Sequence, residues 1–594
     1  MLVAGILFSL LSTLATVTQA SDADKLRRLM VDSRFLQIVT PCKTGGTNRN
    51  NAAEWLRTAF HDAVDHDAAA GTGGVDGSID YELDFEENKG IAFPSVMTQY
   101  KFYQQEDVSL SDIIALGAIV AVGACGGPMI PMYHGRQDVF QNGGTGRLPL
   151  PEGSTESHIE IFKRMGFTTE EMIGLVACGH TLGGVHANIN GHITSQPYHH
   201  FDTSVDGFDN SIAKGHIEDT RVNPIGQPWD PNNPAVSSDT RTFAADGNVT
   251  MRGFAESQDK FFNTCADLLE RMVNLAPSSV SLQGPLEPFP ISATFWPQMR
   301  NGAYSFLTGS ARLYNLKGQW SSFDITYTNR DGSAGTDASL LSVKDVQEMS
   351  IGKPIEYRNF NMGTRSVPPE SGIGSVVINV RMNDGSTRQE VVELDDTIMV
   401  DIGNQYTCKY TGAENNNANG LNVSMAVLAP YNAEDKVEVR YKSSSGEHTL
   451  AASYIGARDA TYNIYNVFIP DMDAIGLTKF GGFLTRADGS THKDTKDDVW
   501  YRTNTLGKCV AGATIPTAVP TPSAALARRA AAKKTAPASP CPAGAGWAYC
   551  NDRCVNILSD IEHCGGCSDA GGVDCGSLTD GDVQCIQGKC VVAY

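Results

Sequence analysis

The hydrophobic period of this chain changes once, near Pro277, and that change limits how it can fold. Before it, apolar residues recur at helical spacing, with long Gly-, Asp- and His-rich loops between the helical stretches. After it, apolar and polar residues alternate, as in strands with one buried face. Val376, Ile378, Val380 and Met382 alternate, Asn383-Asp384-Gly385 turns the chain, and Val392 and Leu394 follow. Val437, Val439 and Tyr441 alternate ahead of a turn at Ser443 to Gly446, and Asp488-Gly489 marks another hairpin. At 594 residues the chain is too long for one core. It is expected to be multidomain: a mainly α domain over 21–277, then an antiparallel β-sandwich-like domain over 278–509. An Ala/Pro/Thr-rich linker over 510–540 leads to a small Cys-rich module over 541–594.

Compartment is read from the first residues and from cysteine. Residues 1–20 carry an apolar run ending in Thr18-Gln19-Ala20, the pattern of a signal peptide with a small-residue cleavage site, although a basic leading segment is missing. The run is short and interrupted by Ser and Thr, which argues against a membrane anchor. The apolar stretch Ile113 to Cys125 is also too short to span, and reads as a buried helix. Of 14 cysteines, eight fall between Cys541 and Cys590, a density suited to an oxidising compartment and to as many as four bridges in that module. A zinc site using Cys564-x-x-Cys567 is the lesser alternative. Cys408 and Cys509 could close the β domain as a disulfide. Asn248-Val-Thr250 and Asn422-Val-Ser424 are glycosylation acceptors in an exported chain. Acids outnumber Lys and Arg by 67 to 46, so a nucleic-acid partner is set aside. The expected location is extracellular, with no membrane span.

Two segments carry chemistry. In Asn51 to Ala63, Asn51 and Glu54 read as a capping box, and Arg57 and His61 share one helical face. A guanidinium and an imidazole in one pocket can stabilise and shuttle charge; the bland reading is a surface helix with two polar residues. In Thr168 to His186, Thr168 and Glu171 form a second capping box, and Phe167 can staple onto Met172. An apolar run ends at His180, and Gly183-Gly184 stops the helix. Such a histidine either ligates a metal or is a satisfied core residue.

Together, R-x-x-F-H-D at 57–62 and L-x-A-x-G-H-T at 175–181 resemble the plant, fungal and bacterial haem peroxidase superfamily. The likeness runs from about Asp24 to Leu275 and includes Ser111-Asp112-Ile113 and Gly135-Arg136. It implies haem b, hydrogen peroxide as oxidant and a small reducing substrate. Arg57 and His61 match the distal pair, Phe60 the aromatic beside it, and Asn88 the residue that orients the distal histidine. His180 matches the iron ligand, Asp239 the carboxylate behind it, and Phe201 a proximal pocket position where some relatives have tryptophan.

The resemblance further implies two calcium ions, one at Asp62, Gly74, Asp76 and Ser78, the other at Thr181, Asp202, Ser204, Gly207 and Asp209. It pairs Cys42 with Cys125 and points to the secreted fungal branch, whereas Ser257 to Phe262 is more similar to the intracellular branch. Cys178 and Cys265 have no clear counterpart and read as buried thiols or one extra bridge. Manganese-oxidising relatives have acids where this chain has Asn50, Glu54 and His186, and relatives with a surface radical tryptophan have it where this chain has Leu175. The donor expected is therefore small and phenol-like, oxidised by one-electron steps. His186, His192, His199 and His200 form a histidine-rich loop, read as solvated rather than as a second metal site. The alternative function is an inactive, peroxidase-like cell-wall binding protein. A non-haem metal hydrolase lacks three nearby ligands. The Cys-rich module is assigned wall or glycan contact.

Overall fold

The computed structural model describes residues 21–509 except 46–47, 106, 301–302, 336–342, 362–367, 404–405, 411–418, 444–445, 471–478, 495–500 and 503–505. Beyond Cys509 it describes only four strands between Trp547 and Val592. The signal-peptide reading, the linker, and the side chains of the tail cysteines lie outside the described residues. The chain divides into one unit to Ala518 and a second from Val519. In the second, Trp547–Cys550 pairs with Arg553–Asn556 and Val583–Ile586 with Lys589–Val592, giving two antiparallel hairpins.

The helical part holds eleven α-helices among the described residues: α1 (Asp22–Leu29), α2 (Ser33–Leu36), α3 (Asn51–Ala63), α4 (Ala92–Tyr103), α5 (Leu110–Ala124), α6 (Thr155–Arg164), α7 (Thr169–His180), α8 (Ser211–Ile217), α9 (Ser238–Phe243), α10 (Val249–Glu256) and α11 (Gln258–Val273). The apolar stretch from Ile113 lies in α5, which is buried from Leu110 to Gly123 and starts at a Ser109 cap accepting from Asp112 N. α3 packs on α5, and Trp55, Phe35 and Tyr100 fill the space around them. Buried Arg136 ties this core together: Nη1 bonds Asp112 at 2.8 Å and Nη2 donates to Val273 O and Asn274 Oδ1. No described helix is long and apolar enough to cross a membrane.

One local reading is corrected. The cap of α3 is Asn50, whose side chain accepts from Ala53 N, not Asn51. Asn51 Nδ2 instead donates to Ile38 O, and Glu54 is held by Arg49 and does not reach back to close a box.

The β part alternates as expected, and its strands reverse at Asn383 to Gly385, between the paired Ser443 and Gly446, and at Asp488-Gly489. Gly385 and Gly489 both take positive φ (86°), the left-handed turn conformation that suits glycine. The strands form sheets of nine, three and five strands. The expectation of antiparallel pairing fails for one pair of strands: Ile398–Ile402 runs parallel to Ile291–Arg300. The intervening strands make the long crossover that a parallel pair needs.

The β part is not a loosely tethered module. Gln283–Leu286 pairs with Met132–His134 of the helical part, and Tyr314, Ile355 and Tyr357 enter the same buried cluster as Leu26 and Phe35. Buried Arg312 bonds Asp32 at 3.2 Å across this junction. Three disulfides lock the unit: Cys42–Cys125, Cys178–Cys265 between α7 and α11, and Cys408–Cys509. The loops they close, of 83, 87 and 101 residues, each correspond to roughly 4–5 kcal/mol of denatured-chain entropy.

The two glycosylation acceptors part company. Asn248 heads α10 at a half-buried position, where its Oδ1 accepts from His216 Nε2 at 2.8 Å. Asn422 is 4% exposed inside strand Gly420–Leu428, donating to Tyr406 O and accepting from Asn466. A glycan on that amide is incompatible with the sheet, so Asn422 is struck from the acceptors.

Candidate active site

Most faces of α3 and α7 are buried, yet each keeps one open stripe. On α3 it is Ala53, Arg57 and Phe60; past the first turn of α7 it is Val176, Gly179 and His180. These are helical spacings, so each stripe is a single face. The two helices touch, and a Cβ on Gly183 would lie 2.8 Å from the Ala53 Cβ. The Arg57 side chain is exposed on the α3 stripe.

The Asn50 cap fixes the start of α3, on which Arg57 and His61 lie about one turn apart on one face. His61 Nδ1 lies 2.8 Å from Asn88 Oδ1, while Asn88 Nδ2 donates to Glu82 O at 3.0 Å. An amide that spends its N–H on a carbonyl presents oxygen to the imidazole. Nδ1 therefore carries the hydrogen, and Nε2 keeps its lone pair. Burial first, and the Arg57 charge second, hold the His61 pKa well below the ordinary histidine value; the Asn88 bond opposes them. Burial lowers the Arg57 pKa to about 10, with Glu54 opposing. Arg57 has no hydrogen-bond partner among the described residues; its guanidinium lies 4.7 Å from the Phe93 ring centre. Phe60 meets His61 edge-on and stacks on Phe162.

On the other helix the Thr168–Glu171 capping box is complete, with both of its bonds formed. It fixes the start of a 12-residue helix whose last residue is His180. His180 Nδ1 donates to Asp239 Oδ2 at 2.9 Å. Asp239, 1% exposed, also accepts from Asn223 Nδ2 at 2.6 Å. Phe201 stacks on the imidazole, 4.4 Å away and 14° from parallel. The His180 side chain is 32% exposed, with Nε2 its free nitrogen.

Thus the structure brings Arg57, His61, Asn88 and Phe60 together on one helix–loop pair, and His180, Asp239 and Phe201 on another. Sequence reasoning missed Asn223 and Phe93. Neither lies at a helical spacing from a site residue on the same helix, so no periodic signal marks them.

The chemistry of this set fits haem. Ala53, Phe60, Val176 and Phe201 offer apolar surface beside it, all partly buried against the main core. One imidazole offers a free Nε2 backed by a carboxylate, the usual arrangement for a ligating histidine.

The loop expected to hold one calcium gathers Asp62, Asp76 and Ser78. Asp62 accepts from Gly77 N, Ile79 N and Ser78 Oγ, and Ser78 N donates to Asp76 Oδ1. Gly74, at φ 119°, is pressed against Leu275 O. Burial, then the neighbouring Asp76, pushes the Asp62 pKa well up. At the other expected site Thr181 Oγ1 lies 3.4 Å from Asp202 Oδ2 and donates to Asp209 O, and Ser204 Oγ donates to Asp202 Oδ1. Gly207 sits beside Ser204 O. Burial, with Asp209 adding to it, raises Asp202 to about 6. No group of three or more His, Cys, Asp or Glu side chains among the described residues is arranged to hold a metal. Each loop is a set of two carboxylates with hydroxyl and carbonyl oxygens.

The histidine-rich loop does not converge. His186 bonds Asn48 O, His192 Glu152 and His199 Thr194, while His200 packs on Tyr198. Of the three manganese positions, Asn50 is a helix cap and Glu54 is already bonded to Arg49.

Residues 38–269 match the family described as Peroxidase. The chain is 32% identical over 400 residues to a WSC domain-containing protein of Arthroderma benhamiae, covering 64% of this chain and 55% of that protein. It is 34% identical over 167 residues to L-ascorbate peroxidase 5, peroxisomal, of Arabidopsis thaliana, covering 28% of this chain and 57% of that one. It is 33% identical over 141 residues to the mitochondrial cytochrome c peroxidase of Emericella nidulans, covering 23% and 39%. The chain thus spans little more than half the length of the first two.

Proposed function

Residues 38–269 belong to the haem peroxidase superfamily, and from that premise we propose that the chain reduces hydrogen peroxide at haem b held by His180. Small phenol-like donors are then oxidised by one-electron steps. The observation that carries this reading is the His180–Asp239 pair at the end of α7, a helix in contact with the α3 that carries Arg57 and His61.

Bound there, haem would supply the redox chemistry, two-electron towards peroxide and one-electron towards the donor. The protein supplies the rest. His180 Nε2 would hold the iron, and Asp239, through Nδ1–H, raises the basicity of the ring. His61 Nε2 takes the proton from the near oxygen of peroxide and returns it to the departing oxygen, which leaves as water. Asn88 keeps Nδ1 protonated so that Nε2 can act. Arg57 stabilises the negative charge that develops as the O–O bond breaks. The test is an absorbance spectrum of the purified protein with haem, followed by peroxide and a phenol. A Soret band and donor turnover are expected; no haem uptake would favour the binding-protein alternative.

Calcium at the two loops belongs to the same proposal, because cations there would offset the raised pKa values of Asp62 and Asp202. Chelation is expected to lower the melting temperature of the haem-loaded protein and readdition to restore it. An identical melting temperature with and without chelator would remove both sites from the reading. Three disulfides and the sequence of residues 1–20 support export. The Cys-rich segment is assigned contact with the wall or its glycans. Deleting it should release the protein from wall preparations.

A further inference from the structure

We propose that Phe93 is the positioning residue for the distal pair: its ring holds the Arg57 guanidinium and the His61 imidazole in working orientation at once. This rests on the peroxidase reading above and assigns a further residue to that site.

Arg57 carries a full charge on the open stripe of α3 and has no hydrogen-bond partner among the described residues. A guanidinium has five N–H donors in a rigid fork, so one without hydrogen bonds is free to turn about its stem unless something else orients it. The contact that can do so is the Phe93 ring, 4.7 Å from the guanidinium carbon. An aromatic face attracts a cation electrostatically, and most strongly where water is thin. Phe93 is itself fixed, being 1% exposed and part of the main core.

The same ring touches the second member of the pair. Its centre is 4.6 Å from that of His61, with the planes tilted by 45°. Asn88 sets which nitrogen of His61 carries hydrogen, but one hydrogen bond leaves the ring free to rock about that axis. Phe93 packs against the ring and limits that rocking. Both residues come from one stretch of chain: Asn88 ends the short turn Glu86–Asn88, and Phe93 is the second residue of α4. A single segment therefore supplies the hydrogen bond and the packing surface for His61, and the electrostatic seat for Arg57. Phe93 need not touch peroxide to do this.

The experiment compares Phe93→Leu, which keeps apolar bulk without a π face, with Phe93→Tyr, which keeps the face. Two quantities are read on haem-loaded protein: the rate constant for peroxide reduction, and the dissociation constant for fluoride, a small anion that senses the Arg57 charge without turnover. Phe93→Leu is expected to weaken both roughly tenfold, the scale of a desolvated cation–π contact. Phe93→Tyr should stay within about twofold of the parent in both. In an Arg57→Ala background the leucine substitution should no longer change fluoride affinity. Leucine and tyrosine variants that fall alike, or a leucine variant equal to the parent, would overturn the proposal. So would an undiminished effect without Arg57. If Phe93→Leu does not take up haem, Phe93→Met is read by the same criteria. Failure of the parent to bind haem would instead sink the peroxidase reading itself.

Discussion

Replacing His61 by leucine is expected to slow peroxide reduction by roughly two to four orders of magnitude, the span of a positioned acid–base group, while haem stays bound. The leucine side chain fills much of the same space, and His180, Asp239 and Phe201 lie on separate elements, so haem binding is left alone. What disappears is the lone pair at Nε2. The pH dependence follows from the shift. Because the folded His61 pKa is held well below its usual value, the neutral, proton-accepting form persists as pH falls through about 6.5. The peroxide rate constant should therefore be level from neutral pH to well below that value, and decline only in stronger acid. Arg57→Ala removes one of the two causes of the depression, so the acid limb should move towards 6.5 while the limiting rate falls. Stopped-flow measurement of the first step at several pH values checks both statements. A His61→Leu rate equal to that of the parent would end the acid–base assignment.

The parts of this site that were legible in sequence are those set by local geometry. Arg57 and His61 are four apart on a helix, and four residues bring side chains onto one face whatever the rest of the chain does. The Thr168–Glu171 box could be read for the same reason. Asp239 lies 59 positions from His180, and their bond depends on how residues 218–237 travel, which no period encodes; only likeness to a family suggested it. Asn223 and Phe93 act through contacts of that non-local kind and escaped notice. The slip from Asn51 to Asn50 shows the limit of local reading, because Arg49 competes for Glu54 and capping goes to the neighbouring asparagine. In the β part, turn residues fixed where strands reverse. Alternation does not say which strand is the neighbour, so the parallel joint of Ile398–Ile402 with Ile291–Arg300 was not foreseen. Asn422 is a motif in sequence and a buried sheet residue in space, and burial decides its chemistry.

Replacing His180 by alanine is expected to abolish the Soret band under conditions in which the parent binds haem stoichiometrically. The alanine removes the free Nε2 that this site offers an iron, and leaves the Asp239 carboxylate facing a gap with only Asn223 still donating to it through a side chain. A fall in melting temperature alone would show nothing, since any gap beside a buried carboxylate is costly. The discriminating variant is Asp239→Asn. It keeps the shape and the fold but removes the charge that draws on Nδ1–H, so the imidazole becomes a weaker donor to iron. Outer partners of this kind typically change metal affinity by roughly 10–100-fold. Haem should still bind, more weakly, and the reduction potential of the bound iron should rise, because a less basic ligand stabilises the oxidised metal less. A potential unchanged in Asp239→Asn would mean that the 2.9 Å bond orients the ring without tuning it. A Soret band undiminished in His180→Ala would place the iron elsewhere and remove the premise on which the roles of Arg57, His61 and Asn88 depend.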